Sequence, residues 1–124
     1  MKRFAIALAA ALLLGSPYAA GAHEMSHGKT TTITGEVVDT GCYLGHAARG
    51  ASHTSCALKC VKGGMPMGVL TRQGALYLVT LNHDNPDPYN QLKDLAGKNV
   101  TVTGTLVTRS GMKGIDVTSV KPAA

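Results

Sequence analysis

The sequence predicts an all-β domain with short helices, arranged as a small five-stranded barrel. Its 124 residues fit a single domain. Five segments are rich in β-branched residues or alternate apolar with polar side chains, as strands do when they bury one face. A helical segment separates the third strand from the fourth. Glycines interrupt the first and fourth strands, where a small barrel has to bend them.

The strands are predicted over residues 30–39, 68–72, 75–81, 100–107 and 115–120. The first is a run of Thr, Ile and Val interrupted by Gly35, and the fourth alternates valine with threonine up to Gly104. Gln73-Gly74 is a suitable tight turn between the second and third strands, and Ser110-Gly111 turns the chain between the last two.

Two helices are predicted outside the strands. Ser52 is a suitable N-cap for a helix over 53–62, and Pro88 can open a second helix over 89–96. The stretch 40–52 is rich in glycine and has little periodicity, so we expect a loop there.

The order of these elements predicts a particular barrel. Three strands, a helix and two more strands is the connectivity of the OB-fold, a five-stranded Greek-key barrel; a generic β-sandwich is the alternative. Residues 97–120 read G-K-x-V-x-V-x-G, a turn and then I-x-V, which resembles the last hairpin of small exported bacterial OB-fold proteins. The resemblance implies the fold and little about function, because this fold serves many functions. The segment 40–67 is an insert that a bare barrel does not need.

The N-terminus has the features of a secretory signal peptide over residues 1–22. Lys2 and Arg3 precede an apolar run over 4–14, and Ala20-Gly21-Ala22 is a small-x-small cleavage site. The apolar run is shorter than the roughly 20 residues that span a bilayer. We therefore expect a periplasmic or secreted protein with no membrane span, a flexible lead-in over 23–29 and a domain over 30–121.

The positive charge of the chain is partly a property of this signal. The formal net charge is +5, and removing Lys2 and Arg3 leaves ten basic and seven acidic residues, a net charge of +3. Tyr43, Tyr77 and Tyr89 are then the only aromatic residues. Single-stranded nucleic acid is bound on aromatic platforms along a basic groove, so we expect no nucleic-acid partner.

The insert holds every cysteine of the chain. Cys42, His46, His53, Cys56 and Cys60 lie within 19 residues. In a helix over 53–62, the offsets i, i+3 and i+7 place His53, Cys56 and Cys60 on one face. We predict that these three and Cys42 are metal ligands, with His46 as an alternate. Three thiolates and an imidazole suit Cu(I) or Zn(II).

Copper is favoured over zinc by thioethers near the cysteines. Met65 and Met67 follow the predicted helix, and Cu(I) prefers soft sulfur ligands; packing in the barrel mouth is the alternative for both. His23, as an N-terminal residue, could add an amine and an imidazole. The chain lacks C-x-x-C-H, so no covalently attached haem is expected. Asp39 is either a turn cap or the hydrogen-bond partner of a ligand histidine.

Three functions fit these residues. The first is a periplasmic metal-binding protein that acts as a carrier, buffer or delivery module towards a partner protein. The second is a structural or interaction domain in which Cys42 forms a disulfide with Cys56 or Cys60, leaving one thiol over. The third is a thiol redox enzyme in which a helix N-terminus and His53 activate Cys56. No catalytic motif is present, so we expect binding rather than catalysis.

Overall fold

Five strands close into a barrel in the computed structural model, which describes residues 28–123. The strands are β1 (Thr30–Asp39), β2 (Met67–Thr71), β3 (Leu76–Leu81), β4 (Asn99–Arg109) and β5 (Met112–Pro122). Their order around the barrel is β1-β2-β3-β5-β4, and β1 pairs with both β2 and β4, which closes it. All pairs are antiparallel except β3 with β5. The predicted OB-fold-like barrel is therefore confirmed.

The predicted signal peptide and the segment from His23 to His27 lie outside the described residues. Within 28–123, no helix is long and apolar enough to cross a membrane.

Three short helices accompany the barrel: α1 (Thr40–His46), α2 (Thr54–Lys62) and α3 (Asp87–Asp94). The prediction of a loop over 40–52 is wrong, because α1 and a 3-10 turn at Ala51–His53 occupy most of it. The reason lies at the ends of α1. Asp39 caps its first turn, and Ala47 adopts a left-handed conformation (φ 57°) that satisfies the carbonyls of the last turn.

The other two helices begin close to their predicted positions. The N-cap of α2 is His53 rather than Ser52, because the 3-10 turn takes up Ser52. Helix α3 begins at Asp87, so Pro88 occupies its second position, where a missing N–H leaves no hydrogen bond unmade. Both helices begin within two residues of their predicted starts.

Helix α2 is fixed to the barrel by one face. Its Ala57 and Val61 are 1% and 3% exposed and belong to the same buried cluster as the barrel valines Val37, Val69 and Val117. Residues four apart lie one above the other on a helix, so Ala57 and Val61 form a single apolar contact with the core. The other faces of α2 remain available for polar or reactive side chains.

Two strand glycines allow neighbouring backbones to approach closely. A Cβ atom built on Gly35 would overlap the carbonyl oxygen of Leu70, and one on Gly104 would overlap the carbonyl oxygen of Asp116. Gly104 also lies at the register shift between β4 and β5, where an irregular ladder bends a strand. These are the two glycines that the sequence marked as positions of barrel curvature.

We expect Gly35→Ala to lower the free energy of unfolding by about 1–3 kcal/mol, the usual cost of forcing a methyl group into filled space. Gly45→Ala is the matched control, because a Cβ atom at Gly45 of α1 meets nothing within 4 Å. That variant should be neutral or stabilising by up to about 1 kcal/mol. Urea unfolding followed by circular dichroism measures both, and equal effects of the two substitutions would contradict this account.

Candidate metal centre

The insert brings the three cysteines together beside the end of β1. Cys42 lies in the first turn of α1, and Cys56 and Cys60 lie on α2. His53 ends the 3-10 turn that leads into α2. All three cysteines are free thiols.

Two groups of donor atoms have Cys42 in common. The sulfur atoms of Cys42 and Cys56 and a ring nitrogen of His53 lie within 4.8 Å of one another. The sulfur atoms of Cys42 and Cys60 and a carboxylate oxygen of Asp39 form a second group with the same limit. Sulfur ligands on a tetrahedral metal at about 2.3 Å are roughly 3.8 Å apart. Small side-chain rotations would therefore suffice, and this Cys/His cluster could hold a metal ion.

Asp39 lies beneath the cluster and is fully buried. Its Oδ1 accepts a hydrogen bond from the backbone N–H of Cys42 at 2.8 Å, and its Oδ2 lies 3.0 Å from Nε2 of His53. One carboxylate thus caps α1 and also holds the imidazole ring. Because Nε2 is engaged, Nδ1 of His53 is the nitrogen left available to a metal. A carboxylate behind a ligand histidine is the usual arrangement in metal sites.

The electrostatics of the cluster favour an ionised Asp39 and protonated thiols. Burial opposes ionisation of Asp39, but hydrogen bonds from Cys42 and His53 outweigh it and lower the pKa of the carboxyl below its usual value of 3.8. The hydrogen bond to Asp39, with burial and the nearby negative charge, raises the pKa of Cys42 to about 12. Burial, followed by the neighbouring thiol of Cys56, raises the pKa of Cys60. Without a metal these two thiols keep their protons at neutral pH.

One side of the cluster is open to solvent. Cys56 is exposed, Cys42 and Cys60 are half-buried, and the side chain of His53 is 16% exposed. Helix α1 buries none of its residues. The backbone N–H and the hydroxyl of Thr40 both donate to the carbonyl oxygen of Pro66 at 2.9 Å, which ties the start of α1 to the start of β2.

The other sequence-predicted candidates within the described residues are His46, Met65 and Met67. His46 is the exposed last residue of α1 and belongs to neither group, so its role as an alternate ligand stays a prediction. Met67 is 1% exposed and packs in the core, whereas Met65 is 39% exposed.

Sequence reasoning missed one donor. It considered Asp39 only as a cap or as a hydrogen-bond partner of a histidine, whereas the carboxylate also lies within reach of Cys42 and Cys60. The available signal was its position directly before the cysteine-bearing turn.

Comparisons with protein-family models, curated proteins and solved structures return no match to this chain. The resemblance of the last hairpin to exported bacterial OB-fold proteins therefore stays a prediction. What the protein does has to be inferred from the chemistry of the cluster itself.

We expect Asp39 to make the metal-free fold sensitive to acid. Because its folded-state pKa is lowered, the ionised carboxyl contributes stability above its unfolded pKa of about 3.9, and this contribution is lost as the pH falls through the lower folded-state value. From about pH 4 downwards, the free energy of unfolding of the wild type should therefore fall more steeply than that of Asp39→Asn.

Urea unfolding at a series of pH values measures this slope. Asp94→Asn is the matched control, since the ion pair of Asp94 with Lys62 is solvent-exposed on both sides and such pairs contribute little. The free energy of unfolding of Asp94→Asn should depend on pH in the same way as that of the wild type. If the free energy of unfolding falls equally steeply with pH in the wild type and in Asp39→Asn, ionised Asp39 does not stabilise the fold.

Proposed function

We propose that this protein is a periplasmic metal-binding protein, with copper favoured over zinc, that acts as a carrier, buffer or delivery module. One observation carries the proposal. Thiol groups from two helices and an imidazole converge within a few ångströms on a solvent-open side of the barrel, with a buried carboxylate behind the imidazole.

Each donor has a distinct role in the proposed site. Cys42, Cys56 and Cys60 bind the metal as thiolates, and His53 binds through Nδ1. Asp39 keeps the imidazole in place and favours the tautomer with a proton on Nε2. Since thiolates and not thiols bind metals, loading displaces protons from the cysteines. The metal provides the positive charge that overcomes the raised pKa values of Cys42 and Cys60.

The donor set is the reason for favouring copper. Three thiolates form a soft environment that suits Cu(I). Zinc is the alternative, because three thiolates and one imidazole also make a closed tetrahedral zinc site. The exposure of Cys56 supports transfer rather than a purely structural role. A thiolate of a partner protein could replace Cys56 first, while Cys42, which belongs to both donor groups, holds the cargo longest.

A thiol enzyme is the second candidate, and the contact between Asp39 and His53 favours it. Many thiol nucleophiles are activated by an imidazole base that a carboxylate orients. Asp39, His53 and the exposed Cys56 offer these three groups. Turnover of a disulfide substrate that survives chelation and is lost in Cys56→Ser would favour the enzyme.

A disulfide-stabilised interaction domain is the remaining alternative. The sulfur atom of Cys42 lies within 4.8 Å of those of Cys56 and Cys60, so oxidation could join either pair. Alkylation of the protein purified from the periplasm separates this alternative from the metal site. One reactive thiol and no bound metal would support the disulfide.

We expect Cys42→Ser to abolish stoichiometric metal binding, because Cys42 is common to both donor groups. The loss of metal affinity in Cys42→Ser should exceed the roughly 10–100-fold loss that follows removal of a ligand's hydrogen-bond partner. His46→Asn is the matched control and should bind like the wild type, since His46 lies outside both groups. Elemental analysis and competition with a chromogenic chelator measure the effect, and weaker binding in His46→Asn would restore His46 as a ligand.

Asp39→Asn should weaken metal binding by about 10–100-fold without changing its stoichiometry. The amide removes the negative charge behind His53 but leaves all three thiols and the imidazole in the protein. The same chelator competition measures the dissociation constant. An unchanged constant would mean that Asp39 serves the cap of α1 alone.

A further inference from the structure

The turn after α2 places a thioether beside the cysteine-bearing helices. Gly64 adopts a φ of 105° in this turn. Met65 is 39% exposed, whereas Met67, two residues on, is buried in the core. The backbone N–H of Met65 donates to the carbonyl oxygen of Cys60 at 2.9 Å. Of the two methionines, Met65 is therefore the one whose side chain is accessible.

The side chain of Met65 reaches across to α1. A Cβ atom built on Gly41 would lie 2.7 Å from both the Sδ and the Cε atoms of Met65. The thioether therefore packs directly on the backbone of Gly41, next to Cys42. Through its backbone Met65 contacts the residue that carries one thiol, and through its side chain it contacts the turn that carries another.

A thioether at this position distinguishes between metals. It is neutral and soft, so it is a good ligand for Cu(I). The protein ligands of Zn(II) are thiolate, imidazole and carboxylate. Methionine also has three rotatable side-chain bonds, which allow Sδ to move from Gly41 towards a metal held by Cys42 and Cys60.

We propose that Met65 is the residue that selects copper: beside the three thiolates, its sulfur donates a lone pair to Cu(I) in the fourth position, which His53 takes on Zn(II), and it contributes nothing to Zn(II). This assignment rests on the proposed function. The alternative is that Met65 is an ordinary surface methionine that only packs against Gly41.

The test compares Met65→Leu with the wild type for both ions. Leucine has a similar volume and stays apolar, but it lacks the sulfur atom and ends one atom short of the Cε of methionine. Met112→Leu is the matched control, because Met112 is also exposed, at 63%, and begins β5. Dissociation constants for Cu(I), kept reduced with ascorbate, come from competition with bicinchoninate; those for Zn(II) come from a zinc indicator.

We expect Met65→Leu to weaken Cu(I) binding by about tenfold or more, while Zn(II) binding stays within twofold of the wild type. Met112→Leu should change neither constant. X-ray absorption at the copper edge should show one sulfur neighbour fewer in Met65→Leu than in the wild type.

Equal weakening of both ions in Met65→Leu would mean that Met65 acts through packing, and the assignment would be overturned. An unchanged Cu(I) constant, or an unchanged number of sulfur neighbours, would also overturn it while leaving the proposed function intact. Wild-type protein that binds neither ion would overturn the proposed function and this assignment together.

Discussion

The candidate site depends on the two hydrogen bonds of the Asp39 carboxylate. Asp39 is the last residue of β1, it is fully buried, and each of its oxygens has a different partner. One holds the first turn of α1 through the backbone N–H of Cys42, and the other holds His53. A buried charge is costly unless it is hydrogen-bonded, and here the bonds that offset that cost also position two of the candidate ligands. Through this one side chain, β1 positions Cys42 and His53.

The two helices of the insert are held in different ways. Helix α2 is fixed by apolar burial of Ala57 and Val61, which sets the positions of Cys56 and Cys60. Helix α1 has no buried residue and is held by the Asp39 cap and by the bonds of Thr40 to Pro66. Under the proposed function, the lightly held α1 is the element that would move when an ion enters or leaves the site. The polar contacts that hold α1 are weaker than a hydrophobic core.

Sequence patterns predicted the barrel well because strands and tight turns have local causes. Strands are indicated by alternating β-branched residues, and the turns and bends between and within them by glycines. Each of these signals depends on only a few neighbouring residues. Helix α1 was missed because glycines mask its propensity, and its cap lies at the end of a strand. The cysteines were identifiable as a set by residue type, but their grouping depends on where α2 packs. Nothing local distinguishes Met65 from Met67, since their burial is decided by the register of β2 against β1, where Met67 pairs with Asp39.

The placement of the cluster in an insert also has an evolutionary consequence. Apart from Asp39, every residue of the two donor groups lies between β1 and β2, while the barrel core consists largely of valines on the five strands. Ala57 and Val61 of the insert belong to that core, whereas its donor residues do not. Under the proposed function, a lineage could therefore change the bound ion by substitutions at the donor positions alone, as long as the apolar face of α2 is kept.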